Sequence, residues 1–197
     1  MSFLDDYLDS FENILTDPSE YYRSESRTNG FGFPMKFAAA NIVLSAVFSA
    51  VAGALKGLVF SPGTAGPAVG LITGLASFAG GLASGLVGLF VGSAVLHAFA
   101  YPLGARNGFS STLGVIAYST VIYPLTSLLG LVPFVGYLAS TALAFYGIYM
   151  QVRGVQHFQG LSVERSVLAV LAPLLLVVGL FVAILGGAFL TTYAGGL

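Results

Sequence analysis

The chain has 197 residues, of which 56% are hydrophobic and 8% are charged, and its formal net charge is −1. Soluble domains carry about 25% charged residues, so this composition excludes an ordinary water-soluble domain and predicts an all-α integral membrane protein. The chain has no cysteine, which excludes disulfides and thiolate metal sites.

Residues 1–33 form a separate polar segment that holds seven of the eight acidic residues. Apolar residues recur at helical spacing between positions 3 and 15, and the acidic residues occupy the other face, which predicts an amphipathic helix. Ser2 and Asp5 are spaced to form its capping box. Membrane-surface helices are normally basic, so we expect this acidic helix to dock on its own transmembrane bundle or on a partner protein. The candidate partner-binding residues are Phe3, Asp5, Asp6, Tyr7, Asp9 and Phe11.

A second short helix is predicted to begin at Asp17, with Asp17 as its N-cap, Pro18 in the first turn and Glu20 at the box position. Turn-forming residues at positions 29–34 end it. Pro34 then opens the next helix. The sequence therefore predicts two short helices ahead of the first membrane span.

Residues 34–197 are predicted to form a five-helix transmembrane bundle, because a helix needs about 20 apolar residues to cross a hydrocarbon core of about 30 Å. The spans are expected at about 35–59, 68–103, 110–129, 133–151 and 163–190. The second would measure about 54 Å. We therefore expect it to bend at Gly80 and Gly81 or to begin outside the bilayer.

Splitting the second span into two crossings is the main alternative, and the placement of basic residues argues against it. With five spans and a cytoplasmic N-terminus, only Lys56 lies near the outer face, and the other cations lie inside: Arg23, Arg27, Lys36, Arg106, Arg153 and Arg165. With six spans, three lie inside and four outside. The positive-inside rule therefore favours five spans, with the C-terminus outside.

Small residues in the second span recur three and four positions apart, which places them on one helix face. Such a face lets helices approach closely within a bilayer. We expect this span to be the central packing helix of the bundle, where Ser84 is an alternative to Gly85 at one position of the stripe. The predicted packing residues are Gly70, Gly74, Ser77, Gly81, Gly85, Gly88 and Gly92.

The third and fourth spans carry an unusual number of hydroxyl groups. Pro124 removes a backbone hydrogen bond and frees the carbonyl of Thr120, which we expect hydroxyl side chains to help satisfy. Hydroxyl groups commonly bond helices to one another in membranes. The alternative is a hydroxyl-lined groove for a lipid or another small amphiphile, formed by Tyr118, Thr120, Tyr123, Ser140 and Thr141.

The segment 153–165 is the most distinctive loop of the chain. Gly160 is placed to end one helix and Ser162 to cap the next. Arg153, His157 and Arg165 are candidates for contact with a phosphate or lipid headgroup. Alternatively, the two arginines are topological anchors on the cytoplasmic side.

The sequence offers few catalytic groups. No Asp or Glu occurs between Glu25 and Glu164, so the first four spans lack a carboxylate for proton relay or ion binding. Ser84 and His97 are separated by about 20 Å along one helix, too far for a nucleophile and its base. Two histidines without cysteine make a zinc site improbable. We therefore expect no enzyme activity, cofactor or metal.

Three stretches of the chain are distinctive. They are TDPSEYYR at 16–23, GVIAYS at 114–119 running into YPL at 123–125, and GVQHFQGLS at 154–162 before the apolar span with Pro173. Together they resemble the Yip-domain family. The resemblance covers about residues 16–190. It implies a cytoplasmic N-terminus and five spans, and the family is named for binding Ypt/Rab GTPases. Eukaryotic members act in vesicle traffic and membrane shaping, whereas the short acidic tail is similar to prokaryotic members. No catalytic residue is implied.

Together these observations predict a non-enzymatic membrane scaffold or adaptor that binds a partner protein through residues 1–33 and organises the membrane. The alternative is a carrier or channel for a neutral or amphiphilic solute or lipid. The expected partners are membrane lipids and a protein, including a second copy of the chain, and no nucleic acid. The expected location is a prokaryotic, including archaeal, cell membrane.

Overall fold

The computed structural model describes residues 2–25, 32–61, 63–132 and 134–194, and these residues form helices without any strand. Of the predicted break at 29–34, residues 29–31 lie outside the described residues, as does Arg27, and residues 32–34 belong to a helix. The helices are α1 (Phe3–Thr16), α2 (Pro18–Glu25), α3 (Gly32–Phe60), α4 (Gly66–Ala100), a 3₁₀ turn (Tyr101–Leu103), α5 (Gly108–Ser119), α6 (Ile122–Leu129), α7 (Val135–Gln159) and α8 (Val163–Ala194).

The capping contacts predicted at Ser2 and Asp17 are present, whereas α3 begins at Gly32, two residues ahead of the predicted Pro34. Ser2 and Asp5 form a reciprocal capping box, and hydrogen bonds from Ser2 lower the pKa of the Asp5 carboxyl. The Glu20 N–H donates to Asp17 Oδ1 at 3.0 Å. Gly160 follows the last residue of α7 with φ +66°, the left-handed conformation that glycine adopts at helix ends. The two capping bonds could be predicted from the sequence because each joins residues only three positions apart.

Four helical segments of the described chain are long and apolar enough to cross a membrane: Gly32–Phe60, Gly66–Leu103, Gly108–Leu129 and Val163–Ile184. They correspond to the predicted first, second, third and fifth spans. The predicted span at 133–151 overlaps the first part of α7, which is more polar and is not among them. That fifth crossing therefore stays a prediction.

The second span is one uninterrupted helix, because α4 continues through Gly80 and Gly81 without a break in helical structure. Its 35 residues would extend about 52 Å if straight.

The third span is interrupted between α5 and α6. Pro124 has no N–H to donate to the Thr120 carbonyl, and that carbonyl instead accepts the Tyr123 N–H at 2.9 Å. The expectation that hydroxyl side chains satisfy this carbonyl is therefore wrong. A tighter turn supplies a backbone donor one residue earlier in the chain.

The bundle is built on the pair α3 and α4, against which α5 and α6 pack. The helix α7 packs in turn on α5 and α6. The first part of α8 packs on α4 and α7, with Ser166, Ala169 and Val170 buried. The side chains at 174–184 are exposed around the whole helix. Apolar residues in that position are compatible with lipid as the surrounding medium.

Candidate functional site

The helices α1 and α2, residues 2–25, form a cap on one end of the bundle, here called the N-terminal cap. Tyr22 of α2 is fully buried, with its hydroxyl 3.5 Å from Ser119 Oγ on α5. Its ring meets Phe158 of α7 edge to face, with centroids 5.4 Å apart. Aromatic pairs prefer this arrangement and add stability beyond the area they bury. Tyr22 therefore anchors α2 between α5 and α7.

Gly154 provides the space that Tyr22 needs. A Cβ atom at position 154 would lie 3.2 Å from Tyr22 Cζ and 2.7 Å from Val115 Cγ1. Gly114 does the same for Phe158, because a Cβ there would lie 3.0 Å from Phe158 Cε2. These two glycines of α5 and α7 let aromatic rings pack directly on the backbone.

Tyr118 connects the cap to the membrane-embedded part of the chain. Its hydroxyl donates to Glu25 Oε2 at 2.9 Å, and its ring packs edge-on against Tyr21 at 5.2 Å. Tyr21 in turn donates to Ser10 Oγ on α1 at 3.0 Å, and burial raises the pKa of Tyr21 to about 12. Tyr21 is therefore a neutral donor near neutral pH, and this chain of contacts joins α5, α2 and α1.

A second set of contacts holds α1. Tyr7 is buried and donates to Asn41 Oδ1 of α3 at 2.8 Å, while its ring packs on Phe37 at 5.2 Å. At the other end of α1, the Tyr146 hydroxyl of α7 donates to the Leu15 carbonyl at 2.8 Å. The cap is thus attached to α3 and α7 by hydrogen-bonded tyrosines, a feature that helical periodicity did not identify.

The predicted partner-binding residues divide into two groups. Tyr7 is buried and Phe11 half-buried in the docking contact, whereas Phe3 is 45% exposed. The acidic side chains of Asp5, Asp6 and Asp9 are exposed. A cleft of about 670 Å³ separates α1 from α2, and it is lined by Asp6, Asp9, Ser10, Asn13, Asp17, Glu20, Tyr21, Ser24, Glu25 and Phe33.

The predicted headgroup residues do not form one cluster. Arg153 donates to Gln156 Oε1 and lies over the Tyr149 ring, one helical turn from His157. His157 Nε2 lies 3.2 Å from Ser19 Oγ of α2. Burial, and then the charges of Arg153 and Arg23, lower the pKa of His157. Arg165 lies elsewhere and donates to the Leu103 carbonyl at 3.3 Å.

Gln159, which the sequence did not single out, connects the end of α7 to the start of α5. Its side chain accepts the Asn107 N–H at 3.1 Å and donates to Thr112 Oγ1 at 2.8 Å. His97 Nδ1 lies 3.0 Å from the same Thr112 oxygen. These bonds hold the end of α7 against the start of α5. They therefore also fix the position of Phe158, on whose ring Tyr22 packs.

The small-residue stripe of α4 follows α3 for most of its length. A Cβ atom at Gly70, Gly74 or Gly81 would lie 3.0 to 3.1 Å from α3 atoms, and one at Gly85 would lie 2.7 Å from Ile42 Cγ2. Ser77 faces Gly53 of α3. Farther along, Gly88 has only the Tyr123 hydroxyl nearby, and Gly92 has no heavy atom within 4 Å of its Cβ position.

The hydroxyl residues predicted to line a groove lie in different surroundings. Tyr118 bonds Glu25, and the buried Thr120 donates to the Ala117 carbonyl at 2.6 Å. Tyr123 is half-buried next to Gly88. Ser140 is half-buried and Thr141 is exposed, with its hydroxyl donating to the Tyr137 carbonyl. The hydroxyls of Tyr118, Thr120 and Thr141 thus already have hydrogen-bond partners within the chain. A ligand groove lined by all five residues stays a prediction.

Within the described residues, no cluster of three or more His, Cys, Asp or Glu side chains is arranged to hold a metal ion. Instead, the structure brings together the three stretches 16–23, 114–119 and 154–162. They supply five residues that contact one another where the N-terminal cap docks: Tyr22, Tyr118, Ser119, Gly154 and Phe158. The most distinctive parts of the sequence therefore lie at one docking site.

The family model described as the Yip1 domain matches residues 13–185, which is most of the chain. No curated protein and no solved structure gives a significant match.

Proposed function

The chain belongs to the Yip1-domain family of membrane proteins, and from this membership we propose that it is a non-enzymatic membrane scaffold or adaptor. The observation that carries the proposal is the docking of the N-terminal cap. Tyr7, Tyr22 and Tyr146 attach the cap to α3, α5 and α7. A cap fixed in this way presents its exposed acidic side chains in a defined arrangement, which reduces the ordering cost of binding.

The partner that fits this surface is a protein with a basic segment. Asp6, Asp9 and Asp17 line the cleft between α1 and α2, together with Glu20, which forms an ion pair with Arg23. No basic residue is among the lining residues in the described part of the chain. Complementary charge raises the rate of encounter and selects among partners. The cap, rather than the membrane core, then determines partner choice.

The proposed topology has five spans, with α7 providing the crossing at 133–151 and with the N-terminal cap in the cytoplasm. Lys36 and Arg153 lie at the cap end of α3 and α7, as the positive-inside rule requires of cytoplasmic ends. Lys56 lies near the opposite end of α3, close to the outer face. In the same orientation the C-terminus lies outside. The proposed location of the protein is the prokaryotic cell membrane expected from the sequence.

Charge reversal in the cleft tests the function. The variant Asp6→Lys with Asp9→Lys retains Asp5, which is needed for the capping box. We expect it to remain folded and to lose a protein that co-purifies with the unmodified chain in mild detergent. The matched control reverses Glu12 and Glu164, two exposed acids that do not line the cleft, and should retain that protein.

The carrier hypothesis predicts the opposite pattern. In that case the cleft variant keeps every co-purifying protein, while Tyr123→Phe or Thr141→Val removes a bound lipid or a transport signal. That result would replace the scaffold proposal. Loss of the partner in the cleft variant alone, with bound lipid unchanged, would support it.

A further inference from the structure

Two leucines of α1 take no part in docking the cap. Leu4 is 60% exposed and Leu8 is 56% exposed. They lie four residues apart on one face, about 160° around the helix from Asp6. Asp6 faces the acidic cleft, and the buried residues Tyr7 and Ser10 lie between the two flanks. The helix therefore has an acidic flank and an apolar flank, defined by Leu4 and Leu8, on either side of its docked face.

The contacts with α7 show that α1 lies deeper along the bundle than α2. On α7, α2 contacts Gly154 and His157, whereas α1 contacts Tyr146 through the Leu15 carbonyl. Eight residues between positions 146 and 154 correspond to about 12 Å along a helix. Thus, along α7, α2 lies at the end of the bundle, and the C-terminal end of α1 lies about two turns farther in.

The first charged residues of α3 and α7 indicate where the membrane surface lies. Charged side chains are costly in hydrocarbon, so Lys36 and Arg153 belong at or above the headgroup level. Tyr7 bonds Asn41, about 7.5 Å past Lys36, and Tyr146 lies about 10 Å inside Arg153. At these two points α1 lies one to two turns farther into the bundle than Lys36 and Arg153, whereas Phe3, its first residue, packs on Phe33 at the start of α3. The helix as a whole therefore lies at the level of the membrane interface.

The direction of the apolar flank follows from the cleft on the other side of α1. That cleft contains Phe33 and residues of α2, all at the outer end of the bundle. The opposite flank, with Leu4 and Leu8, consequently faces the membrane interior. The exposed apolar surface of α3 begins at the same depth with Val43, Leu44 and Val47. The two apolar surfaces therefore lie at a similar depth along the bundle.

We propose that α1 lies in the plane of the membrane interface, with Leu4 and Leu8 inserted among lipid acyl chains and the acidic flank in water. Docking through Tyr7, Ser10 and Ile14 holds the helix at this level. The helix therefore needs no basic residues to attract anionic lipid, which accounts for an interfacial helix that is acidic. This placement of α1 is independent of whether a protein binds the acidic flank.

Single cysteines test the proposal, because the native chain has none. The full chain with Leu8→Cys is labelled with a small environment-sensitive fluorophore and reconstituted into phosphatidylcholine vesicles. Quenching is measured with nitroxide-bearing acyl chains and with iodide on both sides of the membrane. Val47→Cys on exposed α3 is the lipid control, and Asn13→Cys in the cleft is the water control. Leu4→Cys repeats the measurement in case the label at position 8 displaces the cap.

We expect the fluorophores at positions 4 and 8 to be quenched by lipid nitroxides as strongly as the one at position 47, and to be several-fold less accessible to iodide than the one at position 13. Equal iodide quenching at positions 4, 8 and 13 would overturn the proposal. Shielding that disappears when the protein is diluted with lipid would also overturn it, because a second copy of the chain would then cover the flank.

Discussion

The ring of Tyr22 on α2 rests against the backbone of Gly154 on α7, so that even a methyl group at position 154 would lie 3.2 Å from Tyr22 Cζ. The same methyl group would lie 2.7 Å from Val115 Cγ1. Since Tyr22 is fully buried, it has no room to move aside within its site. The absence of a side chain at position 154 is therefore a condition for docking of the cap.

Replacing Gly154 by alanine should release α2 from the bundle. Overpacking of a close contact costs about 1 to 3 kcal/mol, and α2 is short enough for such a cost to shift its docking equilibrium. Hydrogen exchange of the α2 amides in detergent micelles should accelerate by about tenfold or more. Gly179→Ala is the control, because nothing lies within 4 Å of its Cβ position. Unchanged exchange in Gly154→Ala would contradict the role assigned to this contact.

Replacing Gly85 by alanine should weaken the pairing of α3 with α4. Its Cβ would meet the β-branched Ile42 at 2.7 Å, and Ile42 has little rotamer freedom in a helix. We expect thermal unfolding at a lower temperature, with a loss of about 1 to 3 kcal/mol. Gly92→Ala on the same helix should leave the unfolding temperature unchanged or higher, because its Cβ position is open. Equal effects at the two positions would show that the stripe does not pack against α3.

Removing the Tyr7 hydroxyl should loosen α1. In Tyr7→Phe the buried Asn41 Oδ1 loses its 2.8 Å donor, and an unsatisfied buried acceptor costs about 1 to 3 kcal/mol. The expected result is faster proteolytic cleavage within residues 2–16 of the detergent-solubilised chain. Tyr137→Phe, at a residue that is 75% exposed, removes a hydroxyl without this consequence. If both variants are cleaved at the wild-type rate, the Tyr7 bond does not hold the helix.

Docking of α2 should weaken at acidic pH through His157. Burial and the charges of Arg153 and Arg23 lower its pKa, while Glu20 opposes them. The docked cap therefore disfavours protonation, so His157 supports docking above its ordinary pKa of 6.5 and that support is lost as the pH falls through the lowered value.

The variant His157→Gln isolates this effect, because glutamine can still bond Ser19 but does not titrate. Between pH 7.5 and 5.5, hydrogen exchange of α2 should accelerate more in the wild type than in the variant, after correction for the intrinsic pH dependence of exchange. Identical pH dependence in the two proteins would exclude His157 as the titrating group.

The proposed topology predicts which introduced cysteines react from outside intact cells. Thr64→Cys, exposed between α3 and α4, should react with a membrane-impermeant maleimide. Ser110→Cys, exposed near the start of α5, should react only after the membrane is permeabilised. Both substitutions replace an exposed hydroxyl residue and serve as controls for each other. Labelling of Ser110→Cys in intact cells would reject the five-span orientation.

Composition and local sequence were sufficient to determine the membrane class and several helix boundaries. Low charge excluded a soluble domain, and the Ser2 and Asp17 caps were predictable because their bonds reach only three residues along the chain. The family resemblance was likewise readable from three short stretches and is confirmed. That the three stretches meet at one place in the fold could not be predicted from any one of them.

Only the tertiary structure decided that Tyr22, Tyr118 and Phe158 meet at one docking site and that Tyr7 reaches Asn41. In a soluble protein, apolar periodicity separates the buried face of a helix from its exposed face. In a bilayer both faces are apolar, because lipid is as favourable a neighbour as another helix. The sequence pattern therefore left helix partners undetermined, and close contacts at residues such as Gly154 and hydrogen bonds between distant tyrosines selected them.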